Sequence, residues 1–422
     1  MLQLVFGRSG YGKTEYIRNR IADMIDRGET QVLLITPEQY SFISEYSLLE
    51  QLGEARAHAV RCLSFSRLCD ECDRLYGADG RKLLTKGGKA ILMKTAIDQV
   101  RPDLELFEKK GSSAAFVQSM TGIYDEMKSC NLSGAAVYAA ADDLDTDILR
   151  CKMRDFSRIM TAYEALLGDR FADPANRLTR LYDQIKDQNY FAGQTVFLDG
   201  FNGFVAQEYK ILERIIAEAK AVYIALDSDS FGTGDGYDLF AYVNETAGIL
   251  QRIADKAGVP TNALQLGENY RTDYADLRRV EQYIFADQAP ETEISSEHIR
   301  LYAASTVTDA CNDLALQIKG LLRCGYRAGE IAVTMRDREK YAPVLASAFE
   351  KYGVPYYTDE RQPVTAQPIL VFPMYLMRSV IYGWRSDDLF SLIKTGLTDV
   401  SDSPDLHLSL IHISEPTRQA EI

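Results

Sequence analysis

The stretch that most limits how this chain can fold is "GRSGYGKTEY", running from Gly7 to Tyr16. The apolar run "LQLVF" precedes it, and Ile17, Ile21, Met24 and Ile25 follow at helical spacing. Gly7-x-x-x-x-Gly12-Lys13-Thr14 fits the GxxxxGK[ST] pattern completely. That pattern demands a strand, a tight loop and a helix in succession. The glycines, Gly7, Gly10 and Gly12, let backbone N–H groups turn inward around phosphate oxygens. Lys13 is placed to reach the β- and γ-phosphates, the Thr14 hydroxyl to ligate Mg²⁺, and the helix N-terminus adds its positive end. The expected ligand is ATP with Mg²⁺.

The rest of the chain extends this unit into an α/β protein. "QVLLIT" and "VRCLSF" read as buried strands, the first stopped by Pro37. From about Asp73 to Gln188 the strand signal vanishes. "KLLTKGGKAILMKTAIDQV", "SAAFVQSMTGIYDEMKSCNL" and "DILRCKMRDFSRIMTAYEALLGDRF" all carry i, i+3, i+4 apolar spacing. Strands return with "TVFLD" and "AVYIALD", separated by the amphipathic "QEYKILERIIAEAK". The reading is a parallel-sheet domain over 1–75 and 190–285, interrupted by a helical insertion over 76–189. A polar, proline-bearing stretch at 285–297 suits a linker. A second α/β unit over 298–407 follows: "HIRLYAAS", a helix through "ACNDLALQIKGLLRCG", the strand "EIAVTM", a helix "YAPVLASAFEKYG", and "VPYYTD".

Composition narrows the class. With 46% hydrophobic and 26% charged residues the chain reads as globular, and no apolar run reaches the roughly 18 residues that argue for a membrane span. No basic leader precedes "LQLVF", and the seven cysteines are unevenly scattered. Both point to a cytoplasmic setting without membrane partners. Cys69 and Cys72 form a lone CxxC without the further ligands zinc needs. The formal net charge of −14 argues against broad nonspecific affinity for nucleic acid. It leaves room for a local basic groove or for a basic partner.

Hydrolysis needs a second set of carboxylates. Asp199 ends the "TVFL" run, where a carboxylate holds Mg²⁺ through water. The next residue in motor ATPases is a glutamate that polarises the attacking water; here it is Gly200. Glu208 lies nine residues on and is a poor substitute by position. No upstream segment suited to clamping adenine precedes Gly7. Turnover of ATP by this chain is therefore not expected. "DSDSFGTGDGYD" at 227–238 puts Phe231 at a ligand position of a calcium loop and reads as a flexible loop. His58 and His298 have no evident partners.

Further on, Asn269-Tyr270-Arg271 in "LGENYRTD" resembles the "NYRS" element of UvrD-like superfamily 1 helicases, whose arginine reaches toward the γ-phosphate. More closely, "VFGRSGYGKT", "TPEQYSFISEYSLLE", "CLSFSRLC", "VFLDGFNGFVAQEYKILE" and "GVPYYTD", in this order, resemble the AddB/RexB family. These are second subunits of bacterial AddAB-type helicase–nucleases. The resemblance covers about 1–407 and implies a helicase-like fold with an inactivated motor: a domain 1A carrying the loop, a helical 1B insertion, and the start of a domain 2A that is an incomplete RecA-like unit. It implies nucleotide contacts from Asp199 and Arg271 beside the loop. It also implies an AddA-type partner subunit and DNA as ligand, both duplex ends and a single strand scanned for Chi. The family's nuclease and [4Fe-4S] cluster are expected only in a C-terminal domain absent from this sequence.

On that basis the strand-binding residues are expected in the loops after the sheet strands. They are Gln39, Tyr40, Ser41 and Phe42, then Phe65, Ser66 and Arg67, then Phe201 and Phe204. Aromatic faces stack on bases, Gln39 can read an adenine edge, and Arg67 a guanine edge or a phosphate. Phe42 and Phe65 are equally open to a core role, and Arg67 to a surface pair with Glu45 or Asp70. The alternative to this non-motor reading is an autonomous superfamily 1 helicase. A small-molecule P-loop enzyme fits the later elements less well. Residues 408–422, "LSLIHISEPTRQAEI", resemble translated sequencing-adapter read-through and are expected to be non-native.

Overall fold

The computed structural model describes residues 1–78, 80–109, 113–229, 239–286, 295–358, 364 and 367–398. The chain divides into two units, 1–299 and 300–422. In the first, six strands form one wholly parallel sheet: β1 (Leu2–Gly7), β2 (Val32–Ile35), β3 (Val60–Leu63), β6 (Thr195–Leu198), β7 (Ala221–Asp227) and β8 (Thr261–Gln265). Their order is β3-β2-β6-β7-β1-β8. This mostly buried parallel arrangement is consistent with a RecA-like fold.

Strand alternation explains the two layers around the sheet. Leu2, Leu4, Phe6, Leu33, Ile35, Val196, Leu198, Val222, Ile224 and Leu226 all point to one face. There they meet α4 (Phe65–Tyr76), α9 (Arg177–Ile185), α10 (Ala206–Glu218) and α11 (Ala241–Lys256). The alternate residues Val32, Leu34, Phe197, Tyr223 and Ala225 pack on α1 (Lys13–Asp26) and α2 (Glu38–Leu52). A short helix, α3 (Glu54–Ala57), leads into β3, and α12 (Ala275–Tyr283) follows β8. With both faces covered, four-residue strands of pure "VLLI" or "TVFL" suffice. β8 is not legible in the sequence: it is an edge strand whose "TNALQ" side chains are largely exposed.

Residues between β3 and β6 form the helical layer α5 (Lys86–Val100), α6 (Ala114–Ser129), α7 (Gly134–Ala141) and α8 (Asp147–Leu167). Three of these helices start at a serine or threonine whose hydroxyl accepts a backbone N–H: Thr85 from Gly88, Ser113 from Phe116, Ser133 from Ala136. Their apolar faces close a separate core around Met93, Ile97, Tyr124, Phe156, Ile159 and Tyr163. A small parallel pair, β4 (Lys82–Leu83) with β5 (Phe171–Ala172), ties the two ends of this layer together. Two residues carry no periodicity, so the sequence predicts no strand at either place.

The second unit holds α13 (Val307–Arg323), α14 (Arg338–Tyr352), α15 (Pro368–Ile381) and α16 (Ser386–Ile393). Cys311, Ala315 and Ile318 of α13 pack on Leu345, Ala348 and Phe349 of α14. The strand expected at "EIAVTM" is absent from the described residues. At 331–335 burial alternates as a strand would, with Ile331, Val333 and Met335 against the α13–α14 core. A strand is defined by its ladder, however, and no neighbouring segment among the described residues supplies one. Residues 408–422 and most of the loop expected at 227–238 lie outside the described residues, as does the centre of the 285–297 linker. No helix is long and apolar enough to cross a membrane among the described residues.

Candidate functional site

Two cavities open at the carboxyl edge of the sheet. The first, about 410 Å³, is built on the loop between β1 and α1. Gly12 caps α1 at φ 79°, and Gly10 sits at φ 89°. A Cβ on Gly10 would lie 2.9 Å from Arg271 Cβ, so only glycine fits beneath that residue. Lys13 Nζ donates to the carbonyls of Gly7 (2.7 Å) and Arg8 (2.9 Å) and pairs with Asp227 at 2.5 Å. The Asn269-Tyr270-Arg271 segment lies directly on the loop: the Tyr270 N–H donates to Gly10 O at 2.9 Å. Ser9, Glu15 and Arg18 complete this wall with Tyr270 and Arg271. The helix N-terminus, the curved glycine backbone and the Lys13 ammonium together make an anion cradle.

Asp199 faces the same cleft from the end of β6. Burial raises its pKa; a hydrogen bond with the Thr14 side chain, another with the Gly200 backbone and the Lys13 charge oppose that rise. Thr14 and Asp199 are thus side by side, as a shared cation site requires. Gly200 stands at φ 83°, and a Cβ there would meet Pro37 Cδ at 3.3 Å. Any longer side chain at 200 is therefore strained in backbone and crowded in space. Glu208 does not line this cleft. It accepts the Val205 N–H at 2.9 Å at the start of α10, and burial raises its pKa. Among the described residues no group of three or more His, Cys, Asp and Glu forms a ready metal cage. The fit for Mg²⁺ is one that depends on phosphate oxygens completing the shell.

The second cavity, about 620 Å³, lies where the starts of α2, α4 and α10 meet the helical layer. Glu38, Ser64, Phe65, Ser66 and Phe201 line it from the sheet side, with Lys86, Lys89 and Arg177 across from them. Burial pushes the Glu38 carboxyl up, but hydrogen bonds from Ser66 and Ser64, and the Arg177 charge, outweigh it and leave the pKa lowered. Lys89 is buried and anchored by Asp125 and by Asp173 at 2.8 Å, while Tyr163 donates to Asp173 at 2.6 Å.

The sequence placed its strand-binding candidates in loops; the structure puts seven of the nine in the opening residues of helices. Gln39, Tyr40, Ser41 and Phe42 open α2, and Phe65, Ser66 and Arg67 open α4 beneath the Ser64 cap. A short apolar strand followed directly by a helix leaves almost no loop for them. Phe42 is 77% exposed, whereas Phe65 is buried in the sheet core. Ser41 is buried and donates to Glu38 O. Arg67 pairs with Glu45 at 3.1 Å on the surface, a contact of small energy. Phe201 is half-buried between Phe65 and Phe204, with ring centroids 5.8 and 5.0 Å away. Phe204 itself is buried and backs Phe201 rather than presenting a face. The cavity brings together only Phe65, Ser66 and Phe201 of the nine.

Sequence reasoning missed Asp227, Lys86, Lys89 and Arg177. Nothing local marks them: Asp227 comes from β7, Lys86 and Lys89 from α5 and Arg177 from α9, elements brought to the cavities only by the fold. His298 also has a partner after all. It lies 3.2 Å from Asp276 and stacks on Tyr274. The CxxC pair is structural. Cys69 and Cys72 sit on α4 inside the core, their thiols pushed up to about 12 by burial.

A parallel six-stranded α/β domain with a helical layer and an anion cradle at the sheet's carboxyl edge defines the class. A family model described as "ADDB, N-terminal" matches residues 4–281, and the chain belongs to that family. It is similar to proteins named as the B subunit of an ATP-dependent helicase/deoxyribonuclease. The relative from Clostridium novyi (strain NT) is 26% identical over 405 residues, covering 94% of this chain and 36% of its own length. That from Clostridium botulinum (strain Langeland / NCTC 10281 / Type F) is 27% identical over 413 residues, 95% and 36%. That from Clostridioides difficile (strain 630) is 28% identical over 421 residues, 96% and 36%. The chain therefore spans 36% of the length of these curated relatives.

Proposed function

We propose that this chain is the helicase-like, non-motor part of a heterodimeric ATP-dependent helicase–exonuclease. It guides and scans one DNA strand for Chi during repair of double-strand breaks. Its partner is an AddA-type subunit that supplies the motor, and neither nuclease nor cluster chemistry is assigned to its residues. The relatives' name marks them as one of at least two subunits of a helicase/deoxyribonuclease, which supports a partnered enzyme acting on DNA.

Gly7, Gly10, Gly12, Lys13, Thr14, Asp199 and Arg271 would hold a magnesium nucleotide, with Thr14 and Asp199 toward the metal. Bound there, the nucleotide supplies phosphate charge for the loop amides and Lys13 to hold. The strand runs over the starts of α2 and α4 and the Phe201 turn, where Gln39, Tyr40, Phe42 and Phe201 offer edges and faces. Lys86 and Arg177 add positive charge to that route.

The observation that carries the non-motor reading is the backbone at Gly200. Its left-handed φ and the contact with Pro37 leave no relaxed place for a water-activating acid. ATP hydrolysis by the chain alone, with single-stranded DNA, is expected to be at background. Gly200→Glu should fail to raise it and should lower the melting temperature. Brisk, Lys13-dependent turnover by the unaltered chain overturns the reading. In the complex with its partner, Phe201→Ala should weaken the Chi response and spare motor ATPase; an unchanged Chi response removes the strand assignment.

A further inference from the structure

Asp227 ends β7, paired in register with Gly7 at the end of β1. It therefore stands at the sheet edge between the Asp199 strand and the loop strand. Its carboxylate is 43% exposed and reaches the mostly buried Lys13 ammonium at 2.5 Å. The carbonyls of Gly7 and Arg8 take the other Lys13 hydrogen bonds. Within this cleft Arg18 is paired with Glu15 on its own helix. Lys13 and Arg271 are then set against Asp199 and Asp227 before any ligand charge arrives.

That balance matters because Lys13 is the group that must serve the terminal phosphates. An ammonium has three donors, here given to the Gly7 and Arg8 carbonyls and to Asp227, so a phosphate that displaces one carbonyl can share the ammonium with that carboxylate. A diphosphate can thus be held with the Lys13–Asp227 pair intact. A triphosphate brings a further anionic group to the same ammonium, next to Asp227. Like charges this close in a partly buried cleft repel strongly, and the lysine cannot fully compensate both.

We propose that Asp227 makes the cleft selective for a nucleoside diphosphate over the triphosphate. The site then keeps a diphosphate as a standing ligand instead of cycling through hydrolysis. This rests on the nucleotide reading of the loop given above, and it names which nucleotide state that site holds.

The test is equilibrium titration of the 422-residue chain, in Mg²⁺, with fluorescent methylanthraniloyl-ADP and a non-hydrolysable methylanthraniloyl triphosphate. The unaltered chain should bind the diphosphate about tenfold tighter or more. Asp227→Asn and Asp227→Ser, checked by thermal melts, should erase the preference chiefly by gaining triphosphate affinity. Lys13→Ala should lose both ligands. Equal affinities or a triphosphate preference in the unaltered chain sink the role of Asp227, whatever the variants do. So does a preference that survives both substitutions. In those cases Lys13-dependent binding leaves the nucleotide reading standing. If neither nucleotide binds in a Lys13-dependent way, both readings fail together.

Discussion

At the residue scale, single backbone and side-chain positions decide what the sheet edge can do. Gly10 and Gly200 both sit in the left-handed region, one making room for Arg271 and the other packing on Pro37. Asp276 is a different kind of device. Its pKa is lowered to about 2, first by the His298 N–H, with further hydrogen bonds from Ser296, the Leu277 N–H and the His298 ring against an opposing desolvation. A carboxylate with a lowered folded pKa stabilises fully above its unfolded value of about 3.9 and loses that contribution as pH falls. The unaltered chain should therefore lose stability between roughly pH 4 and pH 2. Asp276→Asn should be less stable at neutral pH and flatter across that window. Denaturation followed by circular dichroism at stepped pH checks both slopes, and a variant as steep as the parent removes Asp276 from the account.

At the scale of elements, helix starts matter more than loops. α1, α2 and α4 all begin within a few residues of a strand end, so their first turns line the two cavities. The opposite wall depends on a buried polar knot in the helical layer, where Lys89 meets Asp125, Asp173 and the ring of Tyr124. Asp173 is fully buried and also accepts from Tyr163 and the Ala175 N–H. Removing one partner of such a pair strands the other charge, at about 3–5 kcal/mol. Lys89→Ala should destabilise by that order. Lys89→Ala with Asp173→Asn should recover part of the loss, because the stranded charge is gone. Urea unfolding of the single and double variants measures it; simple additivity would show that the pair is not coupled.

Over the whole molecule, the first unit has the size and core expected of an independent domain. It contains both sheet-face cores and the helical layer. Residues 1–299 expressed alone should fold, keep the far-ultraviolet signature of mixed helix and strand, and melt cooperatively. A fragment that stays unfolded while the full chain is folded would mean that the first unit depends on the second. The net charge of −14 belongs to this scale as well. It disfavours nonspecific binding of nucleic acid by this chain.

How much could be read without coordinates follows from how local each signal is. The loop between β1 and α1, the buried strands and the helical run over 76–189 are written in contiguous residues, through glycine spacing and apolar period. So are Asp199 and the odd Gly200 beside it. Sequence alone thus determined an α/β sheet opened by a strand, a glycine-rich loop and a helix. Only the folded chain decided that Asp227 would face Lys13, that Lys89 and Arg177 would wall the second cavity, and that Phe204 would turn inward while Phe42 stayed out. Those facts depend on strand order and on which helix starts meet, and strand order arises from pairings between residues far apart in the chain, which no local pattern encodes.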